Sequence, residues 1–236
     1  MPPISTVLVT GATQGIGRAT AVAFGRAGYK VGVCARTSAA VDALVAELRA
    51  EGVDAAGATA DVADPGQVRS AVAKIVEEIG EIGVLVNNAG VLIARPFEEL
   101  SLEDWDLTMA TNVRSLFLMT REVLPAMRRR REGTIVNVAS LAGRNGFAGG
   151  TAYTASKHAV LGFARSLMLE VRKENVRIVT VCPGSVDTGM LRDQPMLKSD
   201  PDRILRAEDV AQTILETVRL PGRALVSEID VRPTNP

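Results

Sequence analysis

Short apolar runs and amphipathic stretches alternate along the whole 236-residue chain. The apolar runs are rich in Val, Ile and Ala, a composition typical of strands that are buried on both faces. The stretches between them carry apolar residues three and four positions apart, which is the spacing of an amphipathic helix. Regular alternation of strand and helix favours a parallel sheet with helices on both faces. We therefore predict an α/β fold built on a single doubly wound parallel sheet of about seven strands.

The predicted elements follow one another without a linker, a repeat or a low-complexity segment, so residues 1–236 are expected to form one domain. Strands are predicted at Ser5–Val9, Lys30–Ala35, Ala55–Ala60, Ile82–Asn87, Thr134–Ala139, Val176–Val181 and Ala224–Val231. Helices are predicted at Ile16–Ala27, Ala39–Ala50, from Pro65 with Asp64 as its N-cap, and at Leu102–Arg131, Thr151–Glu174 and Ala207–Arg219. Pro125 lies inside the longest helix and is expected to interrupt it, because proline removes a backbone hydrogen bond.

A glycine-rich turn, Gly11 to Gly17, joins the first predicted strand to the first predicted helix. Glycines at such a place allow a tight turn and let the backbone approach a pyrophosphate, which then rests on the helix N-terminus. The spacing is Gly-x-x-x-Gly-x-Gly and does not match the dinucleotide fingerprint Gly-x-Gly-x-x-Gly. A glycine-rich turn alone is most often an ordinary loop. Its place between a strand and a helix favours a cofactor site.

Tyr153 and Lys157 stand four residues apart, so on a helix they share one face. A free phenol has a pKa of about 10, too high for proton transfer at neutral pH. A cation one turn away favours the phenolate and is expected to lower that pKa. Ser140 follows a predicted strand and could hold a carbonyl or hydroxyl oxygen against the phenol. Tyr-x-x-x-Lys by itself arises by chance in many helices.

Small and polar residues lie at or just after the carboxyl ends of six of the predicted strands. In an open α/β sheet, ligands bind beyond the carboxyl ends of the strands. These residues are Gly11, Cys34–Arg36, Asp61, Val62, Asn87–Gly90, Ser140, Pro183 and Gly184. Any one of them could be an ordinary loop residue, but six strand ends together predict a binding site at this edge.

The order and approximate spacing of these motifs resemble the compact branch of the short-chain dehydrogenase/reductase family. The resemblance spans nearly the whole chain. It is carried by Thr10-Gly11-x-x-x-Gly15-Ile16-Gly17, Asn87-Asn88-Ala89-Gly90, Asn112, Ser140, Tyr153-x-x-x-Lys157 and Pro183-Gly184. It implies a Rossmann-like fold and an oxidoreductase that interconverts a carbonyl compound and an alcohol by hydride transfer with a nicotinamide cofactor.

The resemblance also implies a catalytic role for four residues. Tyr153 would give or take the proton on the substrate oxygen, and Lys157 would lower its pKa and hold the nicotinamide ribose. Ser140 would orient the substrate oxygen. The backbone carbonyl of Asn112 would bind a water linked to Lys157. For Asn112 a solvent-facing side chain in the middle of a helix remains the alternative.

A larger set of residues is implied to contact the cofactor. It comprises Gly11, Thr13, Gln14, Gly15, Ile16, Gly17, Arg36, Thr37, Asp61, Val62, Asn88, Ala89, Gly90, Tyr153, Lys157, Pro183, Gly184, Val186 and Thr188. Asp61 would accept a hydrogen bond from the adenine amino group, with a helix cap as its alternative role.

The end of the second predicted strand decides between the two nicotinamide cofactors. NAD sites place an acidic residue there to bond the ribose 2′-hydroxyl. This chain has Ala35, followed by Arg36, Thr37 and Ser38, and an arginine with flanking hydroxyls suits a 2′-phosphate. Relatives that use NADP often carry a second basic residue in the glycine turn, where this chain has Gln14. We predict NADP(H), with NAD(H) less favoured.

Composition excludes several other classes of function. The formal net charge is zero, so neither nucleic acid nor a charged membrane surface is implied as a partner. The basic run Arg128–Arg131 ends a predicted helix, where cations are favourable. Cys34 and Cys182 lie in separate apolar strands and are expected to be buried thiols of a reducing compartment. His158 has no ligand partner nearby, so no metal site is predicted. Without a signal peptide or a membrane-length apolar run, we expect a soluble, cytoplasmic protein.

Two other functions remain as alternatives. One is a non-catalytic NADP(H)-binding sensor or scaffold of the same fold, which would be expected to lose Tyr153, Lys157 or Ser140. The other is an epimerase or dehydratase of the extended branch, which resembles longer proteins with an added C-terminal substrate domain. Only about fifty residues follow Pro183 here, which disfavours it.

The segment from Ser185 to Leu205 is predicted to cover the substrate, and its identity stays open. Its apolar residues suit a modestly hydrophobic carbonyl compound or simple packing against the core; they are Met190, Leu191, Met196 and Leu197. Two helices carry apolar residues on more than one face and predict a homo-oligomer, a tetramer with a dimer as the alternative. These residues are Leu116, Phe117, Leu118 and Met119 on one helix, and Val160, Leu161, Phe163 and Leu167 on the other.

Overall fold

The computed structural model describes residues 5–194, 196–197 and 200–235 of the chain. Its strands are β1 (Thr6–Thr10), β2 (Lys30–Ala35), β3 (Ala55–Thr59), β4 (Val84–Asn87), β5 (Gly133–Val138), β6 (Val176–Pro183) and β7 (Glu228–Val231). Within the described residues they form one seven-stranded sheet in the order β3-β2-β1-β4-β5-β6-β7. Every neighbouring pair is parallel. The predicted fold class is confirmed.

Helices cover both faces of this sheet. They are α1 (Gly15–Arg26), α2 (Ser38–Ala50), α3 (Pro65–Ile79), α4 (Leu102–Met109), α5 (Ser115–Arg130), α6 (Thr151–Val171), α7 (Gly189–Arg192) and α8 (Ala207–Arg219). One buried cluster joins the sheet to α1, α2 and α8 through Phe24, Leu48 and Ile214. A second joins the opposite face to α3, α5 and α6 through residues that include Ile75 and Met127.

The strand order reverses between β1 and β4, and this places the site. The chain builds β1, β2 and β3 outward and then returns to lay β4 on the other side of β1. The Thr10 hydroxyl accepts hydrogen bonds from the backbone N–H groups of Asn88 and Ala89, both at 3.0 Å. The Asn88 amide donates back to the Thr10 carbonyl at 2.9 Å. The two strand ends are thereby fixed around the crevice where ligands of such sheets bind.

The long predicted helix is interrupted, but not at Pro125. A π-helical segment, Ala110–Arg114, separates α4 from α5, whereas Pro125 lies inside α5 without ending it. The expectation of a break at Pro125 was therefore wrong. Val123 and Met127, which flank the proline, are buried against the sheet, and this packing offsets the missing backbone hydrogen bond.

The last strand is shorter than predicted. It begins at Glu228 rather than Ala224, and it pairs only with the end of β6. The Arg177 guanidinium lies across this region and donates to the carbonyls of Leu220 and Ala224 at 3.0 and 3.5 Å. Ala224 in turn donates its N–H to Pro221 O, which closes a turn. Backbone groups used in this way are not free to extend the ladder.

The helix faces invoked for an oligomer are mostly covered within the chain itself. Leu116, Leu118 and Met119 of α5 are buried, while Phe117 is 46% exposed. On α6 the apolar residue with the largest exposure is Leu169, at 58%. Association therefore has a smaller apolar surface available than the sequence indicated. No helix in the described ranges combines the length and hydropathy that crossing a bilayer requires.

Candidate active site

The glycine-rich turn leaves its floor free of side chains. Gly11 and Gly15 have φ angles of +62° and +51°, which favour glycine. A Cβ on Gly17 would lie 2.2 Å from the Gly11 carbonyl oxygen and 2.4 Å from Asn88 Nδ2. Helix α1 begins at Gly15, and no side chain caps its first turn. Its free N–H groups and the positive end of its dipole therefore face the turn, as an anion site requires.

A cavity of about 230 Å³ opens above this turn. Most of the residues predicted to contact the cofactor line it: Gly11, Thr13, Gln14, Gly15, Ile16, Arg36, Thr37, Asp61, Val62, Asn88, Ala89, Gly90 and Thr188. Gly17 lies beneath the floor and not in the lining. Thr111 lines the cavity although sequence reasoning did not name it; it lies next to Asn112 in the π-helical segment.

Two residues of this cavity bear on the nature of the cofactor. Arg36 is exposed at its edge, and no carboxylate among the described residues pairs with it. Asp61 accepts a hydrogen bond from the Ala63 N–H at 2.9 Å within a turn. Asp64, not Asp61, is the N-cap of α3, where it accepts from the Gln67 N–H at 2.8 Å. The helix-cap alternative for Asp61 therefore does not hold.

A larger cavity of about 530 Å³ adjoins the first one. Ile16, Asn88, Gly90, Thr188 and Met190 line both, so the two cavities meet. The remaining predicted site residues, except Gly17 and Asn112, line the larger cavity: Ser140, Tyr153, Lys157, Pro183, Gly184 and Val186. Large apolar residues form much of its wall, namely Leu92, Leu141, Phe147, Leu191, Met196 and Leu197.

Tyr153 and Lys157 both line the larger cavity and lie one turn apart on α6. The Lys157 side chain is buried, donates from Nζ to the Val138 carbonyl at 2.9 Å and lies 5.5 Å from the centre of the Tyr153 ring. Burial lowers the pKa of Lys157 to about 8. Burial raises the pKa of Tyr153, and a hydrogen bond with the Ser140 side chain opposes this rise. The pKa of Tyr153 is therefore raised and not lowered as expected, because desolvation of the phenol dominates.

Ser140 reaches Tyr153 from the end of β5. It is the N-cap of a short 3-10 turn, Leu141–Gly143, and its hydroxyl accepts the Ala142 N–H at 3.1 Å. The phenol of Tyr153 also packs near Phe147, whose ring lies edge-on at 6.3 Å between centroids. Sequence reasoning did not single out Phe147, which no motif marks.

Asn112 is buried in the π-helical segment, so the solvent-facing alternative does not hold. Its Oδ1 accepts the Val91 N–H at 2.8 Å, and its Nδ2 donates to the Val91 carbonyl at 2.9 Å and to Ser156 Oγ at 3.0 Å. Ser156 donates in turn to the Tyr153 carbonyl at 2.7 Å. The side chain of Asn112 therefore ties the loop after β4 to the helix that carries Tyr153. Its backbone role toward a water stays a prediction.

Other polar groups near the site are structural. Asn87 is buried, and its amide donates to Asn137 Oδ1 on the neighbouring strand at 3.0 Å. Cys34 and Cys182 are free and buried, as expected, and burial raises the pKa of Cys34 to about 12. His158 bonds through Nδ1 to the Thr154 carbonyl of its own helix at 2.9 Å. No cluster of metal-ligating side chains occurs in the part of the chain that the structure describes.

Comparison with known proteins agrees with this geometry. The family model of the short chain dehydrogenases matches residues 5–197. The chain belongs to the short-chain dehydrogenase/reductase family. It is therefore an oxidoreductase of this family, as its motifs predicted.

Relatives of this short-chain dehydrogenase/reductase include proteins named as ketoacyl and 3-oxoacyl reductases. The chain is 43% identical over 185 residues to a putative ketoacyl reductase of the granaticin polyketide synthase from Streptomyces violaceoruber, covering 78% of this chain and 68% of the relative. It is 36% identical over 225 residues to a 3-oxoacyl-acyl-carrier-protein reductase from Synechocystis sp., covering 93% and 91%. The crystal structure of actinorhodin polyketide ketoreductase with NADPH superposes with a TM-score of 0.90 at 33% identity, covering 97% and 96%.

Proposed function

We propose that this chain is an NADP(H)-dependent reductase that interconverts a carbonyl compound and an alcohol, with Tyr153 as the general acid and base. One observation carries the proposal: Tyr153, Ser140 and Lys157 together line the larger cavity, which adjoins the glycine-lined one. The proposal treats residues 1–236 as a single dinucleotide-binding and catalytic domain, in the cytoplasm and as a homo-oligomer.

The smaller cavity suits the adenine and pyrophosphate parts of a nicotinamide dinucleotide, because its glycine floor admits a pyrophosphate at the N-terminus of α1. Asp61 and Val62 would hold the adenine end in the smaller cavity, and Asn88–Gly90, with Lys157 from the larger cavity, would hold the ribose beside the substrate. When bound, the cofactor supplies the hydride that reduces the carbonyl carbon.

The chain's own residues then manage the oxygen and its proton. Tyr153 donates the phenolic proton to the oxygen of the carbonyl that is being reduced, and Ser140 orients that oxygen by a hydrogen bond. With a pKa of about 8, Lys157 is mostly protonated at neutral pH. Its ammonium therefore stabilises the phenolate that Tyr153 becomes. In the direction of alcohol oxidation, the phenolate takes the proton back.

The preference for NADP(H) rests on Arg36 and Thr37 at the edge of the smaller cavity. A guanidinium can hold a 2′-phosphate through two charge-assisted hydrogen bonds, and Ala35 presents no carboxylate that would repel it. The NADPH in the actinorhodin ketoreductase structure supports the same assignment.

For the substrate we propose a neutral, largely apolar carbonyl compound, with a 3-oxoacyl thioester as the favoured class. Lys157 is the one charged side chain among the described lining residues of the larger cavity, and it is bonded to the backbone. A substrate carboxylate would therefore be desolvated without a dedicated cation, which is costly. The apolar wall suits an acyl chain, and the names of the two ketoacyl and oxoacyl reductase relatives point to the same class.

The test is consumption of NADPH with a panel of carbonyl compounds. A short 3-oxoacyl thioester, neutral ketones, aldehydes and quinones are compared with a 2-oxo acid of matched length. We expect turnover of the neutral compounds, fastest with the thioester, and little with the oxo acid. Tight NADPH binding without turnover of any compound would favour the sensor alternative, and turnover of the oxo acid alone would overturn the proposed substrate class.

A further inference from the structure

The turn that carries Ser140 is closed by its own backbone hydrogen bonds and lies against α6 on one side. The N–H groups of Arg144 and Asn145 both bond to the Leu141 carbonyl, at 2.9 and 3.0 Å. A Cβ on Gly143 would lie 2.8 Å from the Lys157 carbonyl oxygen, so this turn lies directly against α6. Contact with α6 limits movement toward the helix, but it does not prevent the turn from moving away.

On its other side, the turn is held by a pair of ionic contacts at Arg144. Arg144 Nε lies 2.7 Å from Asp230 Oδ1, and its Nη1 lies 3.0 Å from Glu228 Oε2. Glu228 and Asp230 stand at alternate positions of β7, so their side chains share one face of the sheet. Arg144 thus bridges two carboxylates on a strand that the sheet itself holds.

The same carboxylates have further partners that do not reach the turn. Arg165 on α6 bonds Glu228 at 2.6 and 3.1 Å, and Arg232 bonds Asp230 at 3.2 Å. Arg144, Glu228 and Asp230 are each between 21% and 29% exposed at their side chains. A single ion pair with this much solvent contact adds little to stability, but several charges linked in one network can hold a defined geometry. Their effect is expected in the placement of the turn instead.

We infer that Arg144 is a positioning residue: it clamps the Ser140 turn to β7 and so keeps the Ser140 hydroxyl on the Tyr153 phenol. The inference rests on the proposed function, in which that hydroxyl orients the substrate oxygen. Functional groups must be held to within roughly 0.5 Å of their productive geometry. A displacement of about 1 Å can lower a rate by about a hundredfold, so loss of the clamp reduces catalysis without removing any group that touches the substrate.

The phenol of Tyr153 reports on the clamp without any substrate. The chain has two tyrosines, so a Tyr29→Phe background leaves Tyr153 as the only phenol. Its ionisation is followed by ultraviolet absorbance, with circular dichroism to confirm that the protein stays folded. Arg144→Ala is compared with Arg165→Ala, which removes one arginine from the same cluster but leaves the turn attached. Both variants keep Lys157 and Cys182, the residues with titratable side chains next to this site.

We expect Arg144→Ala to raise the pKa of Tyr153, because the hydrogen bond with Ser140 that lowers it is weakened, and Arg165→Ala to leave it in place. With NADPH and an accepted carbonyl compound, Arg144→Ala should lose about tenfold to a hundredfold in kcat with the Kd for NADPH unchanged. Arg144→Lys should recover part of that loss. Should Arg144→Ala not fold, Asp230→Asn carries the same test.

An unchanged phenol pKa in Arg144→Ala, or equal effects of Arg144→Ala and Arg165→Ala on kcat, would overturn the inference. Failure of the proposed function would look different. In that case the wild-type chain would reduce no carbonyl compound, but the phenol titration would still show whether Arg144 affects the pKa of Tyr153.

Discussion

Replacing Gly17 by alanine tests whether the glycine floor is needed for the close approach of backbone and side chain that the structure has there. The added Cβ would stand 2.2 Å from the Gly11 carbonyl oxygen and 2.4 Å from Asn88 Nδ2. Neither partner moves easily. Gly11 is held in a left-handed conformation, and Asn88 Nδ2 is bonded to the carbonyls of Thr10 and Gly11 at 2.9 and 3.2 Å.

Three contributions determine how Gly17→Ala changes the free energy of unfolding. Overpacking of a close contact costs about 1–3 kcal/mol. Each hydrogen bond of Asn88 that is lost costs a further 0.5–1.5 kcal/mol or so. Alanine gains at most about 1 kcal/mol over glycine in a helix, which offsets only part of this. The net destabilisation should be on the order of 2–3 kcal/mol, or a fall in Tm of about 4–12 °C for a chain of this size.

Gly162→Ala is the matched control. Gly162 lies inside α6, is exposed, and a Cβ there would meet nothing within 4 Å. The same substitution should stabilise by roughly 0.5–1 kcal/mol, because only the helix preference acts. Thermal unfolding of both variants, together with NADPH titration, checks the account. A Gly17→Ala protein as stable as the wild type, with NADPH affinity intact, would show that the glycine is not needed for this close approach.

Three further predictions concern the cofactor, Lys157 and assembly. Arg36→Ala should reduce affinity for NADPH by about tenfold to several hundredfold and leave NADH affinity unchanged, since hydrogen bonds to charged groups contribute about 1.5–3 kcal/mol each; equal loss for both cofactors in titrations would mean that Arg36 stacks on adenine. Burial lowers the pKa of Lys157 to about 8, so the unfolded chain keeps a proton that the folded chain releases between pH 8 and the usual lysine pKa of about 10.4. Stability of the cofactor-free wild type should therefore rise with pH across that interval relative to Lys157→Met, and parallel melting curves would contradict this. Light scattering at micromolar concentration should find an oligomer, a tetramer by preference, and a species of monomer mass alone would contradict the oligomer.

The elements and the position of the site could be predicted because their signals are local. Strand periodicity, the glycine turn and Tyr153 with Lys157 each lie within a few neighbouring residues, and parallel topology brings strand ends to one edge. A local signal also predicted a helix break at Pro125. This prediction was wrong because the burial of Val123 and Met127 on either side of the proline cannot be read from the local sequence.

Features that depend on contacts between distant segments could not be predicted. In the π-helical segment, the side chain of Asn112 forms hydrogen bonds with the Val91 backbone and the Ser156 hydroxyl, which belong to distant segments of the chain. The last strand begins late, at Glu228, after a loop in which the carbonyls of Leu220 and Ala224 accept hydrogen bonds from Arg177 of a distant strand. The pKa of Tyr153 is raised by burial, and burial cannot be read from the sequence spacing between Tyr153 and Lys157.

The most direct test of the proposed function is the rate of NADPH consumption by Tyr153→Phe, measured with a carbonyl compound that the wild type reduces. Tyr29→Phe is the control, since it makes the same chemical change at a ring that packs edge-on against Phe24 at 4.9 Å. We predict that Tyr153→Phe loses at least about a hundredfold in kcat, as expected for a general acid, while the Kd for NADPH stays nearly constant. A Tyr153→Phe enzyme that keeps most of its activity, like Tyr29→Phe, would contradict the assignment of Tyr153 as the proton donor.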